Sequence, residues 1–294
     1  MAEKSPLPPL LRIPLDIRML IYEYLLDDCG NRNLEIRHLP LGQGQQIARS
    51  KKRRSSYRII EPSLRRRCYY MTYALACNAE MHTAFMATNR LLHSEASWFL
   101  YGRHTFSFDT DIEAVDPFLG DLTPPTRELV RSIAVRKQSA VRWPGSGSDP
   151  IDWSHMCRHL QDDLPNLRHL RITVEGDLPP PPALDSHRES VPSWKPEPPR
   201  PLEVSDFRLL CHIKHDSVSW IRDLAGFHNK SKGLGMLEVV ADVRPTSVAA
   251  ETTEAIVHAA LSLCIETAFV EFLRSDLRLP AVCVPSTWRR GGRW

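Results

Sequence analysis

The most constraining feature of the sequence is a hydrophobic spacing that recurs three times in its second half. Apolar residues follow the pattern L-x-x-L-x-L in three runs, which begin at Val130, Leu167 and Leu234. A stretch with helical character precedes each run, at 112–120, 152–163 and 216–228. Because side chains alternate between the two faces of a strand, each run would present its apolar residues to one shared core.

The recurrence predicts an α/β (or α+β) fold of irregular helix–strand units, similar in spacing to leucine-rich repeats. We expect the three runs to pair as parallel neighbours in a short sheet, with their helices on one face. The residues assigned to the buried side are Val135, Ile172 and Val239. Those assigned to the opposite side, which would be open to a partner, are Ala134, Arg171 and Glu238. An ordinary α/β domain, in which helices and strands alternate by chance, is the alternative.

The N-terminal segment 11–26 predicts an amphipathic helix. Its apolar residues Ile17, Leu20, Ile21, Tyr24 and Leu25 fall at the spacing i, i+3, i+4, i+7 and i+8, which places them on one face. Proline at position 14 suits the first turn, where its missing N–H is not needed.

A second helical block is predicted from about residue 71 to residue 100. Within it Leu92, Ala96, Phe99 and Leu100 share one face. The sequence HTFSFD at 104–109 then alternates like a strand. Further along, 246–276 predicts one long closing helix with Ala255, Ala259, Leu263 and Phe269 near one face. No pattern is evident in the tail, 277–294.

These two N-terminal blocks resemble a large set of fungal F-box-like proteins. In the first block, the residues that match the start of an F-box are Ile13, Pro14, Ile17, Ile21 and Leu25, with Asp16 in place of glutamate. In the second block, a helix with a central acidic residue runs into a Y-G-x-x-T-F motif. The residues that match there are Glu95, Tyr101, Gly102, Thr105 and Phe106.

The resemblance implies a non-catalytic protein-interaction module that recognises substrates for a ubiquitin ligase. Its head, 8–28, would dock on a Skp1-type adaptor through Ile13, Pro14, Ile17, Ile21 and Leu25. The remaining segments would be a basic flexible insertion at 29–70, a helical block with a strand at 71–110, and a helix–strand body at 111–276. That body, interrupted by a proline-rich loop at 178–201, would hold an unknown target protein. An ordinary core helix is the alternative for the head.

Positive charge is concentrated in one segment. Nine basic residues and one acid lie between Arg49 and Arg67, including the run Lys51, Lys52, Arg53 and Arg54, although the net charge of the chain is only +3. This segment favours an alternative function, that of a nuclear, nucleic-acid-associated protein. Salt dependence distinguishes the two functions, because contacts to phosphates weaken steeply with salt and an apolar helix contact does not.

No motif points to catalysis, so we expect neither an enzyme nor a cofactor. Phosphate-binding, dinucleotide-binding, nucleophile-elbow and zinc-protease motifs are all missing from the sequence. The best metal candidates are His155, Cys157 and His159, with a second group of Cys211, His212 and His215, and their histidines are better interpreted as surface residues of helices. Seven scattered cysteines are typical of a reducing compartment. We therefore expect a cytoplasmic or nuclear protein without a membrane partner, and nucleic acid is the less favoured ligand.

Overall fold

The computed structural model describes residues 9–26, 32–39, 55–60, 68–75, 81–109, 112–138, 150–178, 199–230, 233–245 and 253–285. The basic run 51–54, most of the proline-rich segment (179–198) and the last nine residues (286–294) lie outside these ranges.

Eight strands form one mixed sheet. They are β1 (Asn33–Leu39), β2 (Ser55–Ile60), β3 (Cys68–Leu75), β4 (Thr105–Phe108), β5 (Ser132–Lys137), β6 (His169–Leu178), β7 (Met236–Pro245) and β8 (Ala281–Cys283). Their spatial order is β2-β3-β1-β4-β5-β6-β7-β8. Strands β1 and β4 to β8 are parallel to one another, whereas β2 and β3 pair antiparallel at one end. Parallel strands need crossover connections, and helices supply most of them.

Ten helices accompany the strands in the described ranges. They are α1 (Leu15–Leu26), α2 (Arg90–Arg103), α3 (Val115–Asp121), α4 (Pro124–Arg127), α5 (Pro150–Asp163), α6 (Val204–His212), α7 (Ser219–Leu224), α8 (Gly226–Lys230), α9 (Thr253–Ser262) and α10 (Val270–Ser275). Short 3₁₀ turns occur at Pro9–Arg12, Thr83–Ala87, Ile112–Ala114 and Asp216–Val218, and a π turn at Ile265–Phe269.

The register confirms the pairing predicted for the three L-x-x-L-x-L runs. Val135 pairs with Ile172, and Ile172 pairs with Val239, so the three predicted core residues form one row across β5, β6 and β7. All three are almost completely buried. Arg171 and Glu238 lie on the opposite face, as expected, and are only partly buried.

One hydrophobic core joins the N-terminal helix to the last strand. It contains Tyr22 of α1, Phe99 of α2, Trp153 of α5 and Ala281 of β8 in a single cluster. The helices approach the sheet closely on this side. At Gly176 in β6, an added Cβ would lie 2.8 Å from the Ser262 hydroxyl of α9. A larger residue at this position would therefore push the helix away from the sheet.

The structure differs from the sequence expectations in four places. The segment 29–70 was expected to be a flexible insertion, but Asn33–Leu39 and Ser55–Ile60 are strands, and β3 begins within it. Residues 71–75 complete β3 and are not helical, because they continue the pairing with β1 and β2. The long helix expected at 246–276 is broken by the π turn, and Leu263 is exposed. The tail expected to lack a pattern contributes β8.

Ala134 requires a further correction. It lies in the row of Arg171, on the face opposite the core, yet it is buried and not open to a partner. It is also not part of the hydrophobic core cluster.

No single helix in the described part of the chain is long and apolar enough to cross a membrane. Only α9 taken together with the segment Ile265–Ser275, across a 75° bend, reaches that length and composition.

Shortening a core residue of β6 should destabilise the whole chain. We expect Ile172→Ala to lower the free energy of unfolding by about 2–5 kcal/mol, because it leaves a cavity in the centre of the sheet. As a control, Ile256→Ala removes the same atoms from a partly exposed position of α9 and should change stability by less than about 0.5 kcal/mol. Urea denaturation of both variants measures the difference. Equal effects would show that the β6 row does not form the core.

Candidate functional site

The head of the molecule is formed where α1 packs against α2. Arg18 donates two hydrogen bonds to the Glu95 carboxylate, from Nε to Oε2 at 2.9 Å and from Nη2 to Oε1 at 2.5 Å. The Tyr22 hydroxyl donates a third to Oε2 at 2.8 Å. Because the two planar groups meet through parallel bonds, the pairing fixes the orientation of α1 as well as its distance from α2.

Burial and hydrogen bonding shift the pKa values of this cluster. The hydrogen bonds from Arg18 lower the pKa of the Glu95 carboxyl, despite the opposing effect of its burial. Burial raises the pKa of Tyr22 to about 12, and its hydrogen bond to the Glu95 carboxylate contributes. At neutral pH the carboxylate is therefore charged and the phenol is a donor, as the geometry requires.

The same cluster reaches the start of α1. Arg18 Nη1 donates a hydrogen bond to the backbone oxygen of Ile13, which ties the residues before Pro14 to the helix. On the next turn, the Tyr22 ring stacks on Phe85 with centroids 5.6 Å apart. The buried stripe of α1 thus consists of Arg18, Tyr22 and Leu26, at the spacing i, i+4 and i+8.

This stripe leaves an apolar side of α1 uncovered. Leu20 is 60% exposed and Tyr24 is 86% exposed, far more than is usual for large apolar side chains in a chain with a core. The large hydrophobic residues exposed on α1 are Leu15, Ile17, Leu20 and Tyr24. We call them, together with the exposed Pro14, the head surface. Ile17, Leu20 and Tyr24 have the spacing i, i+3 and i+7. This is the spacing of the anchor residues when an amphipathic helix binds in the groove of a partner protein.

The five residues predicted to contact an adaptor divide into two groups. Pro14 and Ile17 are exposed and belong to the head surface. Ile13, Ile21 and Leu25 are half-buried, and Leu25 packs against the core. The other predicted set, Lys51 to Arg54, lies outside the described residues.

Sequence reasoning missed Leu15 as a surface residue and missed the inward orientation of Arg18 and Tyr22. A search for the most apolar face of α1 selects the side that is turned outward. One feature of the sequence could have indicated the inward side, namely that Arg18 is the basic residue of α1 and Glu95 is the acidic residue at the centre of α2. Without a pairing between the two helices, that signal is indistinguishable from an ordinary surface charge.

Helix α2 adds apolar surface beside the cluster. Leu91 and Trp98 are exposed and lie one turn before and after Glu95, on the side of α2 that contacts α1. The guanidinium of Arg103 lies 5.9 Å from the Trp98 ring centroid and 4.9 Å from that of Phe99. This contact holds one edge of the indole.

A second surface is the face of the sheet opposite the core, which we call the polar face. Its acidic and basic side chains include Glu35, Asp109, Arg136, His169, Arg171, Glu175, Asp177, Glu238, Asp242 and Arg244, and they alternate with buried apolar residues. Arg171 Nε donates to Glu238 Oε2 at 2.6 Å, and His169 Nε2 lies 3.1 Å from Glu238 Oε1. Asp242 accepts from both Arg136 and Arg244.

Two of the described cysteines, Cys157 and Cys264, are buried and unsuited to nucleophilic chemistry. Burial raises the pKa of the Cys157 thiol well above its usual value, with a contribution from Asp223. Burial likewise raises the pKa of Cys264 to about 11. Both remain protonated at neutral pH, whereas a nucleophile requires the thiolate.

The described ranges contain no group of three or more histidine, cysteine, aspartate or glutamate residues placed to hold a metal ion. Of the candidate ligands at 155–159, Cys157 is buried, and His159 lies between Asp163 and Asp116, at 2.9 and 3.2 Å.

No protein-family model, curated protein or solved structure matches the chain.

The Tyr22 hydroxyl should contribute measurably to stability. We expect Tyr22→Phe to cost about 1–2 kcal/mol of unfolding free energy, because it removes a buried hydrogen bond to a charged group. Tyr24→Phe makes the same chemical change on the same helix at an exposed position and should cost almost nothing. Urea denaturation compares the two. A smaller loss for Tyr22→Phe than for Tyr24→Phe would contradict the described packing of α1 on α2.

The lowered pKa of Glu95 predicts a loss of stability in acid. Its contribution is fully present above the pKa that the carboxyl has in the unfolded chain and disappears as the pH falls through the lowered, folded-state pKa. Glu95→Gln should therefore destabilise the protein near neutral pH, and this deficit should shrink as the pH falls below the ordinary glutamate pKa of about 4.3 and on through the lowered pKa of Glu95. Denaturation at several pH values tests this, with the exposed Glu254→Gln as the control. A deficit that does not depend on pH would contradict the ion pair.

Proposed function

We propose that the protein is a non-catalytic interaction module whose head docks on a Skp1-type adaptor, so that the body presents a target protein to a ubiquitin ligase. The observation that carries the proposal is the outward orientation of the apolar residues of α1. A contiguous apolar surface on a chain with a large core is characteristic of a protein contact.

The internal geometry of the head supports the same proposal. The two segments that resemble the fungal F-box-like proteins are far apart in the sequence, but α1 and α2 meet through Arg18, Tyr22 and Glu95. Glu95 is the acidic residue at the centre of the second resembling block. In this proposal the acid has a structural role. It holds Arg18 and Tyr22 on the inner side of α1, so that the apolar side faces outward.

The second resembling block has a structural role in this proposal. Tyr101 stacks on Phe106 with ring centroids 5.6 Å apart, and Phe106 contacts Phe118 in the core at 5.0 Å. Backbone N–H of Thr105 donates to the oxygen of Arg32 at 2.8 Å, which aligns β4 with β1. The motif thus joins the head to the sheet, and the adaptor contact belongs to α1.

Direct binding to a purified Skp1-type adaptor tests the proposal. The double variant Ile17→Asp, Leu20→Asp places charges in the centre of the head surface without touching the buried stripe. We expect it to fold normally and to lose adaptor binding by at least about a hundredfold, since each buried anchor contributes roughly 2 kcal/mol or more. Calorimetric titration of the full chain measures the affinity.

The matched control is Leu209→Asp, Ile213→Asp, which changes two similarly exposed apolar residues at the end of α6. This control should bind like the wild type. If the wild type does not bind, or if the head variant binds equally well, α1 is not an adaptor-docking helix. A loss shared by both variants would indicate a general effect of added acidity.

A further inference from the structure

Among the side chains that the structure describes, the polar face of the sheet carries more carboxylates than guanidinium groups. Among the described residues, its partly exposed acids are Glu35, Asp109, Glu175, Glu238 and Asp242, and its arginines are Arg136, Arg171 and Arg244. The buried Asp177, which pairs in register with Arg244, is a sixth acid on this face, so the described acids outnumber the arginines by three. On this side β4 to β7 have no apolar row comparable to the row that contacts the helices, so this part of the face offers charge and hydrogen bonds to a partner.

The carboxylates of this face already bind guanidinium groups within the chain. Arg136 Nη1 reaches Asp242 Oδ2 at 2.5 Å and Glu175 Oε1 at 3.2 Å. Arg244 meets the same Asp242 carboxylate through two bonds, at 2.8 and 3.1 Å. Because each oxygen of a carboxylate can accept more than one hydrogen bond, these acids retain acceptor capacity for further donors.

Asp109 is the least satisfied of these acids. Its Oδ1 atom is buried and has no hydrogen-bond partner. Burial raises the pKa of its carboxyl, and the neighbouring Glu35 adds to this, whereas Arg136, Arg171 and a hydrogen bond from Ser107 oppose it. A cation held above Asp109 by a partner would offset the repulsion between its carboxylate and that of Glu35, without contact to the buried Oδ1 atom.

The spacing of the face suits an extended chain. Outward side chains on one strand repeat every second residue, about 6.8 Å, which is also the repeat of alternate side chains in an extended segment. An extended segment with basic residues at alternate positions can therefore lie along a strand, because its cations have the same spacing as the acids of the face.

We propose that the polar face binds an extended segment of a partner protein that is rich in lysine and arginine. This surface is separate from the head surface, so the inference does not depend on adaptor docking. If the protein does present targets, this chemistry describes the segment by which a target is held.

A labelled peptide with arginine and serine in alternation is the probe, and its counterpart with glutamate in place of arginine is the control. Fluorescence anisotropy with the full chain should show binding of the arginine peptide alone, weakening as salt is raised. The double variant Glu35→Gln, Asp109→Asn should bind roughly five- to thirtyfold more weakly. Glu254→Gln, Glu271→Gln removes two exposed acids from α9 and α10 and should bind like the wild type.

A change of the opposite sign makes the test more specific. Arg244 of the polar face and Arg208 of α6 are equally exposed and each pairs with one aspartate, at 2.8 and 2.7 Å. Arg244→Gln frees acceptor capacity on Asp242 and should tighten peptide binding several-fold. Arg208→Gln makes the same change of net charge elsewhere and should leave it unchanged.

Four results would overturn the proposal. The first is that the glutamate peptide binds as well as the arginine peptide, and the second is that both acid-to-amide double variants lose the same affinity. The third is self-association of the chain that the arginine peptide cannot displace. The fourth is that the arginine peptide binds only when residues 51–54 are changed to serine. The third result would mean that a second copy occupies the face. The fourth would mean that the chain's own basic run does so. Circular dichroism of each variant confirms that the fold is retained.

Discussion

The alternation of side chains along a parallel strand is the constraint on which this structure depends. In β5, β6 and β7 alternate residues such as Val135, Ile172 and Val239 enter the core beneath the helices, and the residues between them point the other way. Because the helices cover the apolar side, a one-residue slip would bury Arg171 and Glu238 and expose Ile172 and Val239. The register is therefore fixed by burial, and the polar face is its necessary counterpart. The sheet therefore has one apolar face, which the helices cover, and one charged face.

The head follows a different rule. An isolated amphipathic helix is expected to turn its most apolar side inward, but α1 turns inward the side that carries Arg18. The ion pair with Glu95 makes this possible, because an arginine can be buried only when its charge is paired and hydrogen-bonded. Tyr22 and Leu26 supply the apolar contact on the same stripe. The exposed leucines and Tyr24 are thus the result of a specific polar contact in the interior.

Much of the body could be predicted from the sequence, because strand periodicity is a local property. The three core positions and the parallel pairing of their strands follow from the L-x-x-L-x-L spacing alone. The region between residues 29 and 75 could not be predicted in this way. Strand β1 is inserted between β3 and β4, and β3 pairs with β2 on one side and β1 on the other, so the neighbours of β1 in the sheet are not its neighbours in the sequence. Such pairing depends on tertiary partners, which a local pattern does not encode.

The candidate site shows the same limit. Resemblance to a family identified the helix, and Ile17 and Pro14 are at its surface, but the spacing of apolar residues could not show which way the helix faces. Orientation is a relation between two helices that are distant in sequence, and it is set here by three hydrogen bonds to one carboxylate. Asp109 illustrates a further case. It is an ordinary acid at the end of a strand, and only the arrangement of neighbouring strands places it beside Glu35 and two arginines.

The single core that extends from Tyr22 to Ala281 has a thermodynamic consequence. Because this core joins elements from α1 to β8, local opening at either end disturbs the same packing, and these elements are expected to unfold as one cooperative unit. Any molecule that binds only the native chain then raises the melting temperature of all of it, by an amount that depends on its concentration relative to its dissociation constant. A molecule bound at one end of the chain would thus protect the other end from proteolysis, without any change in the native structure.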